Sequence, residues 1–127
     1  MKLQLTAIDD FFTNKKDIIF LGEWCFDSIQ DTKNYKINSY HYKNLKDILN
    51  NSKYCYDIFT RIVPIISSVM NQIHNKKYNA RYWEILLGPW LWIFICLTYD
   101  RYLSLNSVSK KYEKLEVIIS DKNYTCD

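Results

Sequence analysis

No CxxC pair occurs in this sequence, and its four cysteines, Cys25, Cys55, Cys96 and Cys126, lie thirty or more residues apart. That spacing counts against a zinc knuckle and against a dense disulfide scaffold. Cys55 and Cys96 fall in apolar helical context, where a free cysteine behaves as a small hydrophobe, so a reduced, cytoplasmic protein is the simplest fit. A basic stripe is missing too: the net charge of +3 is spread over separated pairs, Lys15 with Lys16, Lys76 with Lys77 and Lys110 with Lys111. Nucleic-acid surfaces gather Lys and Arg together, so no nucleic-acid partner is expected. The opening MKLQLTAIDDFF meets Asp9 and Asp10 before any adequate apolar run, so no signal peptide is expected. GxGxxG is absent, and with it the dinucleotide fingerprint.

Glycine and proline are scarce, two of each, yet Gly88 and Pro89 stand side by side inside the most apolar stretch of the chain. That stretch, Ala80 to Leu105, holds three of the four tryptophans, and its centre, Ile85 to Tyr99, is fifteen residues without a charge. A membrane span needs about 20 apolar residues, so no transmembrane segment is expected. A helix apolar all round is instead buried in a core or against a partner, and Trp90 is accordingly read as a core residue. Pro89 lacks the amide that would bond the carbonyl of Ile85, so the helix is expected to kink at Gly88-Pro89, or to end there and restart. A restart would leave the amides of Trp90, Leu91 and Trp92 without helical partners, a potential anion site.

With 127 residues the chain has room for one domain and one core. Aromatic residues make up 17% of it, which suits clefts where one ring edge is apolar and the other wet. Met1 to Lys16 reads as a short helix or an ordered tail. Asp17 to Gly22 is a compact β-rich run closed by glycine, as a buried strand of an α/β sheet reads. Glu23, Trp24 and Cys25 come next, at its carboxyl end, where ligands of open α/β sheets bind. Tyr35 to Tyr42 alternates well enough for a second strand, with no more than a turn of helix, Phe26 to Gln30, between the two. His41 stands near its end. A lone histidine there is more often a packing residue than a catalyst, although its titration range suits acid-base work.

From Leu45 to His74 the apolar residues Cys55, Ile58, Phe59, Ile62, Ile66, Val69, Met70 and Ile73 recur at three- and four-residue spacing and predict a helix. Asn51 or Ser52 is the expected cap and Pro64 the expected bend. Asn75 to Asn79 makes a polar turn, so this helix and the one from Ala80 form a hairpin. Ser104 to Lys111 turns polar again, and Leu115 to Ser120 reads as a third strand. The whole is a helix-rich α/β fold: a short, mainly parallel sheet of about three strands packed with a long helical hairpin. So small a sheet covers little of two long apolar helices. The chain is therefore expected to be a single, partial N-terminal domain of something larger, an incomplete Rossmann-like lobe, or to bury the helices by self-association.

These motifs resemble the N-terminal region of a family of large bacterial transferases associated with surface-polysaccharide synthesis. The matching pieces are Phe20-Leu21-Gly22-Glu23-Trp24-Cys25, Tyr40-His41-Tyr42, Asn71-Gln72-Ile73-His74, Arg81 through Leu91, and Asp100-Arg101, in the same order. Two positions depart from the family pattern: Glu84 replaces a basic residue and Tyr42 a tryptophan. Family members are several times longer, and their downstream part looks like a nucleotide-sugar glycosyltransferase of two Rossmann-like halves. The resemblance implies sugar transfer to a growing glycan in the cytoplasm, with a nucleotide sugar as substrate of the full-length enzyme. No bound cofactor and no metal are expected, and the resemblance names no catalytic residue.

Glu23 and His41 are the catalytic candidates, because a carboxylate or an imidazole can serve as a base. Gly22, Trp24, Arg81, Tyr82, Trp83, Gly88 and Trp90 are the substrate-binding candidates, and Pro89, Asp100 and Arg101 are read as structural. Arg81 and Glu84, one helical turn apart, can equally well pair with each other at the surface. Gly22 to Trp24 and Gly88-Pro89 are expected to share one cleft. The isolated 127-residue chain is expected to bind no activated sugar and transfer none. The competing expectation is a non-catalytic module that docks its aromatic helix on a partner subunit or the inner membrane face.

Overall fold

The computed structural model describes residues 2–5, 18–25 and 36–117. The chain divides into two compact units, Met1–His41 with Ser104–Asp127, and Tyr42–Leu103.

The first unit is built on a parallel sheet of three strands, β1 Lys2–Gln4, β2 Ile18–Phe20 and β3 Lys36–Ile37, in the order β1-β2-β3. Lys2 pairs with Ile18 and Gln4 with Phe20, while Ile19 pairs with Lys36 and Phe20 with Ile37. β2 is central and every residue of it is buried, which is what an unbroken Ile-Ile-Phe run demands of a strand covered on both faces. Leu3, Leu21, Cys25 and Val108 complete this core, with Trp24, Ile37, Tyr112 and Leu115 packed around it.

Expectation and structure differ at the sheet's margins. Within the stretch read as a short helix or an ordered tail, Lys2–Gln4 is a strand, and residues 6–16 lie outside the described residues: three residues are too few to show a periodicity, and pairing with β2 decides their state. Lys2 also bridges Glu116 in parallel, and the Leu3 amide donates to the Glu116 carbonyl at 2.9 Å, so the expected Leu115–Ser120 strand is represented by that bridge; residues 118–120 lie outside the described residues. Of the strand expected over Tyr35–Tyr42, the described residues 36–42 form a strand at Lys36–Ile37, with the Asn38 amide still donating to the Phe20 carbonyl at 2.8 Å. The Phe26–Gln30 turn lies outside the described residues.

In the second unit, α1 spans Leu45–His74. Its cap is Asn44, not Asn51 or Ser52: Asn44 Oδ1 accepts from the Asp47 amide at 2.9 Å, and Asp47 Oδ2 accepts from the Lys43 amide at 3.2 Å. Leu45, Ile48 and Leu49 are all exposed, so the first turns bury no apolar face and the capping side chains set where the helix begins. At the other end Asn75 adopts the left-handed conformation with φ 49°, and the Lys76 amide donates to the Asn71 carbonyl at 2.9 Å, a Schellman-type stop. After the polar turn, α2 runs Ala80–Lys111.

Helix α2 passes through Gly88-Pro89 without a break, and the restart with its free amides does not occur. The helical bond lost at Pro89 is that of the Ile85 carbonyl, and Ile85 is exposed, so water can take the place of the missing amide. Ser104–Lys111 is helical as well, although polar in sequence, because Ser104 and Val108, one turn apart, are buried on one face.

The core of the second unit is Cys55, Leu91 and Ile95, surrounded by partly buried residues that include Ile58, Phe59, Ile62, Ile66, Trp92 and Tyr99. The stripe predicted on α1 is therefore a core face from Cys55 to Ile66, while Val69 and Ile73 are exposed. Trp90 is 61% exposed and stacks on Phe94, ring centroids 5.3 Å apart, which overturns its reading as core. Leu86, Trp90, Ile93, Phe94 and Leu97 line one uncovered side of α2, because the contact with α1 uses the opposite stripe through Leu91 and Ile95.

Candidate functional site

Because β2 and β3 are parallel, their carboxyl ends lie on one edge of the sheet, and the segments that leave them, Leu21–Cys25 and Asn38–His41, meet there. Leu21, Gly22, Glu23, Trp24, Ile37, Asn38, Ser39, Tyr40 and Ser104 enclose a pocket of about 590 Å³. That is an appropriate size for a small ligand.

Each wall has a local cause. Glu23–Cys25 forms a single 3-10 turn, closed by the Cys25 amide donating to the Gly22 carbonyl at 3.1 Å. Cys25 is buried in the core, and Glu23 is thereby turned outward and exposed. The six-membered ring of Trp24 occupies the place where a Cβ on residue 22 would stand, so only glycine allows the ring to lie against the strand end. On the neighbouring segment, Lys111 Nζ donates to Asn38 Oδ1 at 3.0 Å and to Ser39 Oγ at 2.9 Å and fixes both. Tyr40 is 58% exposed and its ring lies 4.7 Å from that of His41. Ser104, itself buried, is within 3.2 Å of His41 Nδ1.

The pocket thus brings together Gly22, Glu23 and Trp24, with His41 behind the wall through Ser104. The other candidates belong to the second unit. Arg81 is bonded to Glu84 at 3.0 Å as a surface ion pair within one turn. Trp83 is buried; its Nε1 donates to Asn71 Oδ1 at 2.9 Å and its ring stacks on His74. Asn71 also accepts from the Tyr78 amide at 3.0 Å and donates to the Tyr78 carbonyl at 2.8 Å, so the Asn71–His74 and Arg81–Glu84 motifs clasp the turn between the helices. Tyr82 is half exposed against Tyr78 and Trp83. Gly88 faces Phe59 and lines a small crevice of the second unit with Trp83 and Leu91. Asp100 and Arg101 approach each other at 3.7 Å.

Asn38, Ser39, Tyr40, Ser104 and Lys111 were not among the predicted site residues. A polar Asn-Ser pair after a strand was the available signal for the first two; Ser104 and Lys111 reach the site only because α2 continues through the polar stretch to Lys111. Among the described residues no group of His, Cys, Asp and Glu is placed to hold a metal ion.

A sheet-edge pocket of this composition is compatible with several chemistries, and comparison with known proteins narrows them. The sequence matches the LIC12162 family of transferases over residues 1–127. The chain belongs to that family. No curated protein and no solved structure matches it. The name of the LIC12162 family indicates a transferase. Leu21, Gly22, Glu23, Trp24 and Tyr40 line the pocket, whereas Asn71 and Trp83 hold the turn of the helical hairpin.

Proposed function

We propose that this chain is the N-terminal part of a glycosyltransferase that uses a nucleotide-activated sugar to build bacterial surface polysaccharide or lipopolysaccharide in the cytoplasm. The observation that supports this most is the pocket itself: two aromatic rings, Trp24 and Tyr40, with a carboxylate, an amide and hydroxyls at the carboxyl edge of a parallel sheet. Aromatic rings stack on the C–H faces of sugars, and the polar groups match sugar hydroxyls. In the transfer, the acceptor hydroxyl oxygen bonds to the anomeric carbon while the bond from that carbon to the diphosphate oxygen breaks. The electron pair leaves with the nucleoside diphosphate, and the hydroxyl proton passes to a base. Glu23, exposed at the pocket, is the residue assigned to that role. Ser104 and His41 hold the wall behind it.

The test is nucleotide release by the full-length enzyme given UDP-, GDP- or CMP-activated sugars and a lipid-linked glycan acceptor. Release is expected to depend on the acceptor and to fall by about a hundredfold in Glu23→Gln, the lower end of what a positioned base supplies. No acceptor-dependent release with any donor would rule the reading out.

A second reading is favoured by the uncovered side of α2: a docking module for a partner subunit or the inner membrane face. The helix is long and apolar enough to cross a membrane by length and composition, with a mean hydropathy of 1.2 in its most apolar window. Its uncharged part, fifteen residues, extends only about 22 Å, short of a hydrocarbon core of about 30 Å, so contact along the surface fits better than spanning. Co-sedimentation with anionic lipid vesicles tests it.

A further inference from the structure

We infer that the sheet-edge pocket receives the neutral glycan acceptor, and that the diphosphate of the donor is held outside it. This rests on the glycosyltransferase reading and specifies which substrate that site takes.

The argument is one of charge and hydrogen-bond polarity. Among the described lining residues Glu23 alone carries a charge, and it is negative. A pyrophosphate placed there would meet a like charge in a partly desolvated space. Lys111 does not line the pocket. Its ammonium donates to Asn38 Oδ1 at 3.0 Å and Ser39 Oγ at 2.9 Å, which uses one lone pair of each oxygen and spends the Lys111 charge on them. Asn38 is left to present its Nδ2 donor and Ser39 its O–H donor, while Glu23 presents only acceptors. Such a mixture suits hydroxyls, which donate and accept at once; phosphate oxygens only accept. The two rings add faces for stacking: Trp24 is held by Gly22, and Tyr40 is exposed. Neutral polyhydroxylated ligands are the class that uses every one of these groups.

The experiment tracks the indole N–H resonance of Trp24, assigned with Trp24→Phe, while the protein is titrated with maltose, lactose, cellobiose, UDP-glucose, GDP-mannose and inorganic pyrophosphate. At least one neutral disaccharide is expected to shift the resonance at millimolar concentration, with little dependence on salt. Pyrophosphate and the nucleotide sugars are expected to leave it in place. Glu23→Gln and Tyr40→Ala alter exposed side chains and leave the fold intact, and each is expected to weaken the disaccharide by about five- to tenfold, the size of one lost hydrogen bond or ring contact. Pyrophosphate or a nucleotide sugar shifting Trp24, more tightly in Glu23→Gln, would overturn the inference, and so would a Trp24 that no sugar moves. Acceptor-dependent nucleotide release, measured separately, judges the underlying reading: donor binding at Trp24 with release intact sinks this inference alone.

Discussion

The two glycines differ in what surrounds them, and their alanine variants are expected to differ in size of effect. At Gly22 an added methyl would collide with the Trp24 ring, which is wedged against the strand end. Gly22→Ala should therefore destabilise by about 1–3 kcal/mol, the cost of overpacking, and should shift the Trp24 fluorescence. At Gly88, its chain neighbours aside, the nearest atom to an added methyl is Phe59 Cζ at 3.5 Å, an ordinary contact, in mid-helix. Gly88→Ala gains about 0.5–1 kcal/mol of helix propensity, offset by the crowding of its Cβ against the Pro89 ring that follows, so the net change should stay within about 1 kcal/mol. Urea unfolding of both variants checks this; two losses of equal size would show that the environments are misassigned. The tryptophans divide likewise. Trp83 is 7% exposed and hydrogen-bonded, so Trp83→Ala should cost about 3–5 kcal/mol, whereas Trp90→Ala, at 61% exposure, should change stability by less than about 1 kcal/mol. Residue type alone could not make that division. Both tryptophans stand in the same apolar run, and only the position of α1 decides which side of α2 is covered.

At the scale of elements, the helices were legible and the sheet margins were not. The three- and four-residue periodicity from Cys55 to Ile73 has little competing interpretation, whereas the start of α1 is set by the Asn44 cap ahead of it. β1, three residues long, has no internal pattern at all and exists through its pairing with Ile18–Phe20. The pocket was legible in half: Gly22, Glu23 and Trp24 come directly after a readable strand, while Ser104 is brought in by a helix extension the sequence disguises as a polar tail. The hairpin core also carries a titration signature. Burial pushes the Cys55 thiol from 9.0 up to about 11, and the neighbouring Cys96 adds to the rise. The neutral thiol is the form the fold favours. Its stabilisation is complete below pH 9 and is lost as pH rises from about 9 to about 11, because the unfolded chain ionises first. Burial raises Tyr42 and Tyr99 as well, so their contribution is lost above pH 10. Stability measured against pH should fall across that window and the fall should be shallower in Cys55→Ala. Identical slopes in the two proteins would remove Cys55 as a cause. A thiol held protonated is also a poor nucleophile, so Cys55 should react slowly with iodoacetamide at pH 8.

For the molecule as a whole, the question set by its surface is what the uncovered side of α2 meets. Leu86, Trp90, Ile93, Phe94 and Leu97 recur at four-, three-, one- and three-residue steps, each more than half exposed, within a run that has no charge to solvate it. Patches of this kind in soluble proteins mark contacts, and specific interfaces bury about 800 Å² on each partner. Five such side chains supply much of that area. The charges bracketing the run are spent locally, Arg81 on Glu84 and Arg101 near Asp100, so the face has little with which to hold an anionic headgroup. Contact with protein is the better match, and in the isolated chain the protein at hand is another copy. The chain is therefore expected to sediment above its monomer mass of 15.4 kDa at micromolar concentration. Phe94→Glu should return it to monomer, because a carboxylate in the centre of an apolar contact is desolvated without a partner. Both side chains of the stacked Trp90–Phe94 pair are largely solvated in the monomer, so the variant should unfold within about 1 kcal/mol of its parent, which separates lost association from lost folding. A parent chain that sediments as a monomer at every concentration would show that α2 does not pair this face with a second copy.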